Sequence, residues 1–326
     1  MIDTLRGQNL VDLGELSREA IVEVLDVAES FVEVNQRVIK KVPALKGRVV
    51  ASLFFEESTR TRLSFETAAK RLSADVLSLA IASSSVKKGE SLRDTIATID
   101  ALGIDAVVMR HRSSGAAVQV ARYVPHVRVI NAGDGLHQHP TQGLLDAFTL
   151  RQVLADRAGV RGRETGAGLF EGLEILIVGD VRHSRVARSD VDAYVALGAR
   201  VRLAAPGTLL PDGVAQWPVE VVGDYEEALA SADVVCLLRL QNERGSGDFV
   251  PSLTEFTSAY GLTEERARRL APTTLVMHPG PINRGVEIDA RVADSPASLI
   301  TRQVASGVPV RMAVLYLSVA GREGER

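Results

Sequence analysis

Leu53-Phe54-Phe55-Glu56-Glu57-Ser58-Thr59-Arg60-Thr61-Arg62 changes its period in the middle, and that change decides the fold. Residues 48–55 form a short β-branched and apolar run, whereas in 58–73 the apolar positions recur at helical spacing. The stretch is a strand running into a helix. Unpaired N–H groups and the positive end of the dipole at such a helix start favour an anion. Three hydroxyls and two guanidiniums crowd this turn. One reading is a phosphate cradle without the glycines of a P-loop; the other is an N-cap serine followed by a solvated basic face.

The same alternation continues on both sides. Residues 17–38 read as an amphipathic opening helix, 91–102 as a helix, 105–109 and 127–131 as strands, and 139–154 as a long helix with Pro140 at its first position. Residues 156–172 hold five glycines and several charges without apolar periodicity, which predicts an exposed connection and a unit boundary. The alternation then restarts, with strands at 174–178, 200–204, 233–238 and 274–277 and helices at about 186–197 and 225–230. A last helical pattern at 298–317 fits either unit by pattern alone and is assigned to the first, reaching about residue 320. The expected fold class is α/β, with two domains, each a mainly parallel sheet flanked by helices: 1–152, to which the last helix returns, and 153–297. Ligand sites then lie beyond the carboxyl ends of the strands.

Composition narrows the function classes. At 326 residues, 46% hydrophobic and 24% charged, the chain is of ordinary globular make-up, and disorder and low-complexity classes are disfavoured. With 38 Lys+Arg against 41 Asp+Glu, the net charge of −3 gives no global attraction to nucleic acid or an anionic membrane, so any anion must be held by a local cluster. The single cysteine, Cys236, excludes an internal disulfide and a cysteine-rich zinc site and fits a reducing compartment. No secretory signal is read at residues 1–6, and no apolar run is read as reaching the ~20 residues of a membrane span, so a cytoplasmic location is expected.

Further polar residues fall where strands and loops end. Arg110 follows the strand at 106–109, and Lys87-Lys88-Gly89-Glu90 follows a serine-rich loop. His137-Gln138-His139-Pro140-Thr141-Gln142 delivers histidine and amide groups to a helix start. Two histidines without a clear third ligand are weak for zinc, and donation to a developing oxyanion is a further reading. Gly179-Asp180 ends a strand, but no second or third glycine follows, so a dinucleotide fingerprint fails. Of Arg182, Arg185 and Arg188, the sequence does not say which points inward. Arg239-Leu240-Gln241 and His278-Pro279-Gly280-Pro281 end two more strands. Together these residues describe a cleft with cations from both units, suited to two small anionic ligands.

With those motifs in place, the chain resembles the aspartate/ornithine carbamoyltransferase family over nearly its whole length. Ser58-Thr59-Arg60-Thr61-Arg62 is the family's shared phosphate motif; Lys87-Lys88-Gly89-Glu90, His139-Pro140-Thr141-Gln142, Arg239-Leu240-Gln241 and His278-Pro279-Gly280-Pro281 favour the aspartate branch. The ornithine branch places a cysteine where Pro279 stands. The resemblance implies carbamoyl transfer from carbamoyl phosphate to L-aspartate, giving N-carbamoyl-L-aspartate and phosphate, a step of pyrimidine biosynthesis. It implies that Ser58, Thr59, Arg60, Thr61 and Arg110 bind the phosphate. Arg110, His139 and Thr61 surround the carbamoyl oxygen, and Gln142 meets its amino group. Ser84, in a register shared with Ser83 and Ser85, and Lys88 are lent to a neighbouring subunit's site, which implies a homotrimer. Arg185, Arg239 and Gln241, with Lys88, hold aspartate, and Gly280 approaches the reacting centre through its backbone. Gly280 stands where the enteric pattern has leucine. No metal or organic cofactor is implied. A regulatory chain or a dihydroorotase partner is compatible with the resemblance; an ornithine-type carbamoyltransferase and an inactive assembly subunit of a pyrimidine-enzyme complex are the alternatives.

Overall fold

The computed structural model describes residues 1–79, 89–160, 167–241 and 249–320. Two parallel sheets organise it. The first runs in the order β2 (Asp75–Leu79), β1 (Val49–Phe54), β3 (Ala106–His111), β4 (Arg128–Asp134). The second runs β7 (Glu220–Val221), β6 (Arg200–Ala204), β5 (Glu174–Val178), β8 (Val234–Leu237), β9 (Leu275–Met277). In each, the chain moves outward from its first strand in one direction and then in the other. The strand order therefore reverses between β1 and β3 in one sheet and between β5 and β8 in the other. At such a reversal the connections leave to opposite faces and open a crevice beyond the carboxyl ends.

Parallel strands need crossovers, and the helices supply them. They are α1 (Arg18–Gln36), α2 (Thr59–Arg71), α3 (Leu92–Asp100), α4 (Ala116–Tyr123), α5 (Pro140–Ala158), α6 (Arg185–Leu197), α7 (Tyr225–Ala230), α8 (Leu253–Tyr260), α9 (Glu264–Ala267), α10 (Ala290–Ala293) and α11 (Ile300–Ala320). Pro140 opens α5 where its missing N–H leaves no bond unmade, and Gly159 closes it at φ 68°, a left-handed cap that costs glycine little. α5 packs against α6, and α11 packs against α1, α2 and α5. One apolar core consequently runs through both sheets, joining Phe65 and Phe148 to Ile177, Tyr194 and Val314.

Four readings of the sequence change here. The elements β2, β7, α4, α8, α9 and α10 were not read from the sequence; β2 and β7 carry no buried position, so no apolar run marks them. α5 continues to Ala158, and Phe170, inside the stretch expected to be an exposed connection, is fully buried. α11 is long and apolar enough to cross a membrane by length and composition, contrary to the reading of the apolar runs. Its sides are instead covered by the helices it packs on, and it carries the buried polar residues Gln303, Ser306 and Arg311.

Candidate active site

Both crevices open into one cleft of about 690 Å³. Its walls come from the turns after six strands: Glu56 to Thr61 after β1, Arg110 at the end of β3, His139 and Gln142 after β4, Ser184 to Val186 after β5, Arg239 and Gln241 after β8, and His278 to Ile282 after β9. α11 adds Gln303 and Arg311.

The helix starts differ in a way that bears on the two readings of the Ser58 turn. Ser17, Ser91, Ser184, Asp224, Ser252, Thr263 and Asp289 each cap a helix by accepting a backbone N–H. Ser58 occupies the N-cap position of α2, and His139 that of α5, but neither side chain caps. The first-turn N–H groups of α2 thus stand at the cleft wall without a side-chain acceptor, as an anion site requires, whereas α5 opens on Pro140 and brings the side chains of His139 and Gln142 to the cleft.

Register brings the cations together. Phe54 pairs with Arg110 across β1 and β3, and the Phe55 amide donates to the Arg110 carbonyl at 2.8 Å. Glu56 accepts from Arg110 Nη2 at 2.6 Å and from both terminal nitrogens of Arg185. One carboxylate of the first unit therefore ties a guanidinium of each unit. Gly133 permits this approach: its φ is 113°, and a Cβ there would lie 3.2 Å from Arg110 Nη1 and from Arg185 Nε. Gly280, at φ 65°, likewise lies against Arg60; a Cβ would stand 3.3 Å from Arg60 Nη2. Burial, and then the neighbouring charge of Arg239, hold the Arg60 guanidinium below its ordinary pKa. An anion bound between these two cations would offset that mutual cost. Among the described residues, the walls carry five guanidiniums and two carboxylates, Glu56 and Glu57, so the cleft is cationic in a chain whose net charge is negative.

Other groups set the frame. The His139 amide donates to Ser189 Oγ at 2.9 Å, fastening the start of α5 to α6. Asp180, at the end of β5, accepts from the Gln241 amide at 3.1 Å and contacts His183 Nδ1 at 2.8 Å, holding the turn that carries Arg239. Of the three arginines left open by the sequence, Arg185 faces the cleft. Arg182 pairs with Asp212 and lies over Phe249, and Arg188 lies over Trp217 and donates to the Leu136 carbonyl. His137 has an electrostatic rather than a metal explanation. Its ring nitrogens sit 3.2 Å from Asp12 and 3.2 Å from Asp134, and hydrogen bonds to those carboxylates push its pKa up to about 10. Among the described residues, no group of three or more His, Cys, Asp or Glu is placed to hold a metal ion.

The structure brings Ser58, Thr59, Arg60, Thr61, Arg110, His139, Gln142, Arg185, Arg239, Gln241 and Gly280 to one cleft. Ser84 and Lys88 lie outside the described residues. Sequence reasoning missed Glu56 as a tie between arginines, and missed Gln303, Arg311 and Asp146. The last two had a signal: each is a lone charge inside an apolar helical run, which is seldom buried without a partner.

Comparison with known proteins agrees with this architecture. Residues 8–152 match the aspartate/ornithine carbamoyltransferase carbamoyl-P binding domain, and residues 171–318 match the Asp/Orn binding domain of the same family. The chain is 52% identical over 314 residues to the aspartate carbamoyltransferase catalytic subunit of Thermobifida fusca, covering 96% of each. It is 54% identical over 320 residues to that of Micrococcus luteus, covering 95% of this chain and 97% of the relative. Among solved structures, aspartate transcarbamoylase from Trypanosoma cruzi with carbamoyl aspartate and phosphate superposes with a TM-score of 0.83 at 30% identity, covering 98% of both chains. The same enzyme with carbamoyl phosphate and aspartate gives 0.82 at 30% identity, covering 97% of both. By motif, by matched domains and by fold, the chain belongs to the aspartate/ornithine carbamoyltransferase family.

Proposed function

We propose that this protein is a cytoplasmic enzyme that transfers the carbamoyl group of carbamoyl phosphate to the amine of L-aspartate, releasing N-carbamoyl-L-aspartate and phosphate in pyrimidine biosynthesis. The observation that carries the reading is the convergence of two helix starts without side-chain caps and guanidiniums from both units on one cleft. Ser58, Thr59, Arg60, Thr61 and Arg110 bind the phosphate. Arg110, His139 and Thr61 donate to the carbamoyl oxygen, and Gln142 accepts from its amino group. Arg185, Arg239 and Gln241 hold the aspartate carboxylates, and Lys88 and Ser84 enter from a neighbouring subunit of a homotrimer.

The chemistry follows from charge placement. The deprotonated amine attacks the carbamoyl carbon and forms a C–N bond; negative charge grows on the carbamoyl oxygen, where fixed donors stabilise it. The C–O bond to phosphate then breaks, and the departing phosphate accepts the amine proton. No protein nucleophile takes part. The protein's contribution is to hold both substrates in attack geometry and to meet the developing charge.

The test is turnover of purified protein with carbamoyl phosphate and either aspartate or ornithine. Aspartate is expected to be carbamoylated and ornithine ignored, because Arg185 and Arg239 would face ornithine's side-chain ammonium with like charge. Comparable turnover of ornithine would overturn the choice of substrate, and no turnover with either would leave an assembly role.

A further inference from the structure

Behind the cleft wall, Asp146 on α5 and Asp190 on α6 meet in the α5–α6 contact, 1% and 2% exposed, close enough for each carboxyl to act on the charge of the other. Neither belongs to the motifs of the proposed reaction. Asp146 accepts from Gln142 Nε2 through both oxygens at 3.1 Å, and its Oδ1 accepts from Gln303 Nε2 at 2.6 Å. Gln303 Oε1 in turn accepts from the His278 amide at 3.0 Å, and His278 Nδ1 accepts from the Gly280 amide at 2.8 Å. A single carboxylate thus contacts the side chain of Gln142 on one wall and, through one glutamine, the turn that bears Gly280 on the other.

The protonation of the pair follows from where it sits. Two carboxyls in contact cannot both ionise out of water, so they share one proton. Burial, then the charge of Asp146, raises Asp190 well above the carboxylate range; burial pushes Asp146 up to about 6. The other groups facing the pair are Tyr194 on α6 and Cys236 on β8, both kept neutral by burial, and Arg311 on α11, whose charge opposes that of Asp146. Asp190 is accordingly the protonated donor and Asp146 the ionised acceptor. An ionised carboxylate only accepts, so the NH2 of Gln142 must face it, and the amide oxygen is left as the polar atom for the cleft.

We propose that Asp146, paired with Asp190 across the α5–α6 contact, is a positioning residue that fixes Gln142 with its carbonyl oxygen toward the cleft and, through Gln303, anchors the 278–281 turn opposite. The role rests on the proposed reaction, in which that oxygen accepts an N–H of the carbamoyl group. Wild-type turnover with carbamoyl phosphate and aspartate is the first control, since its absence would fail the functional reading by itself.

Two variants then test the positioning. Asp146→Asn has one acceptor oxygen for two glutamine donors, and an NH2 that must face one of them. It is expected to lower kcat/KM for carbamoyl phosphate about 10–100-fold, the effect of losing a hydrogen bond to a charged group, with KM for aspartate changed less. In a Gln142→Ala background the same change is expected to cost clearly less, because the route through Gln142 has been removed and only that through Gln303 remains. Equal costs in both backgrounds would overturn the proposal.

Gln142→Glu leaves Asp146 untouched and covers the case in which Asp146→Asn does not fold. It sets a carboxyl against the ionised Asp146, where it must take up a proton to remain. Protonated, it imitates the amide: O–H toward Asp146, C=O toward the cleft. Its kcat/KM for carbamoyl phosphate is expected to fall with rising pH through one ionisation that wild type lacks, and its Tm is expected to fall through the same pH range. The Tm readout stands even without turnover. A wild-type pH profile in both measurements would place the 142 side chain away from Asp146 and sink the proposal.

Discussion

Arg60 shows how one residue can serve a ligand while contributing little to the fold. It lies at the exposed start of α2, outside the apolar core, with Arg239 as a charged neighbour and Gly280 against its guanidinium. Arg60→Ala is expected to lower turnover by about 10²–10³, the usual loss for one transition-state donor, with Tm close to wild type. A wild-type rate with an unchanged melting profile would return the turn to the reading as a solvated basic face. His137 is the opposite case, a charge that serves stability. Flanked by Asp12 and Asp134, it stays protonated to about pH 10 in the folded chain, against about 6.5 for an ordinary histidine. Its folded pKa is raised, so its contribution is fully present below about pH 6.5 and is lost as pH rises through 10. The Tm deficit of His137→Gln should therefore be largest in acid and shrink toward pH 10; a deficit independent of pH would assign the residue to packing alone.

At the scale of elements, the contact between α5 and α6 governs the site, because it aligns His139 and Gln142 with Arg185. Gly143 sets its closeness. A Cβ there would fall 2.6 Å from the Ser189 carbonyl oxygen, nearer than atoms can pack. Gly143→Ala is expected to destabilise by about 1–3 kcal/mol through overpacking and to reduce turnover by moving the start of α5. Unchanged Tm and rate would show that the helices separate freely. The same contact carries the shared proton of Asp146 and Asp190. Both carboxyls are raised relative to an unfolded chain, so their contribution is fullest below about pH 4 and is lost as pH rises through their folded values. Asp190→Asn keeps a donor toward Asp146 but has no proton to lose. Its Tm relative to wild type should climb as pH increases, and a constant difference across pH 5–9 would contradict the shared proton.

For the whole molecule, the proposed homotrimer makes a numerical prediction. Lys88→Ala and His139→Ala proteins should each be nearly inactive. If a site takes His139 from one subunit and Lys88 from its neighbour, equal mixing followed by reassembly leaves both intact in one half times one half, roughly a quarter, of the sites of a closed ring. Activity of the reassembled mixture, against each variant treated alone, measures it. No recovery in confirmed hybrid trimers would place Lys88 in its own subunit's site or outside the chemistry.

Periodicity and end signals were enough to establish the long elements and their order. β1 to α2, β4 to α5 and β5 to α6 were legible because a buried strand and an amphipathic helix repeat at different intervals, and because Pro140 and the glycines mark where the chain turns. The cations at strand ends were legible for the same reason, since parallel α/β topology sends those ends to one side. Tertiary structure alone decided which side chains meet. A period tells which face of a helix is buried and is silent about what buries it, so Arg185 turned inward while Arg182 and Arg188 found partners elsewhere. Asp146, Asp190, Gln303 and Arg311 come from three helices; Asp146 and Arg311 read alone as charges misplaced among apolar residues, whereas Asp190 and Gln303 stand beside other polar ones and give no such signal. Burial without water forces them to satisfy one another, and which of them are close enough to do so depends on how α5, α6 and α11 pack.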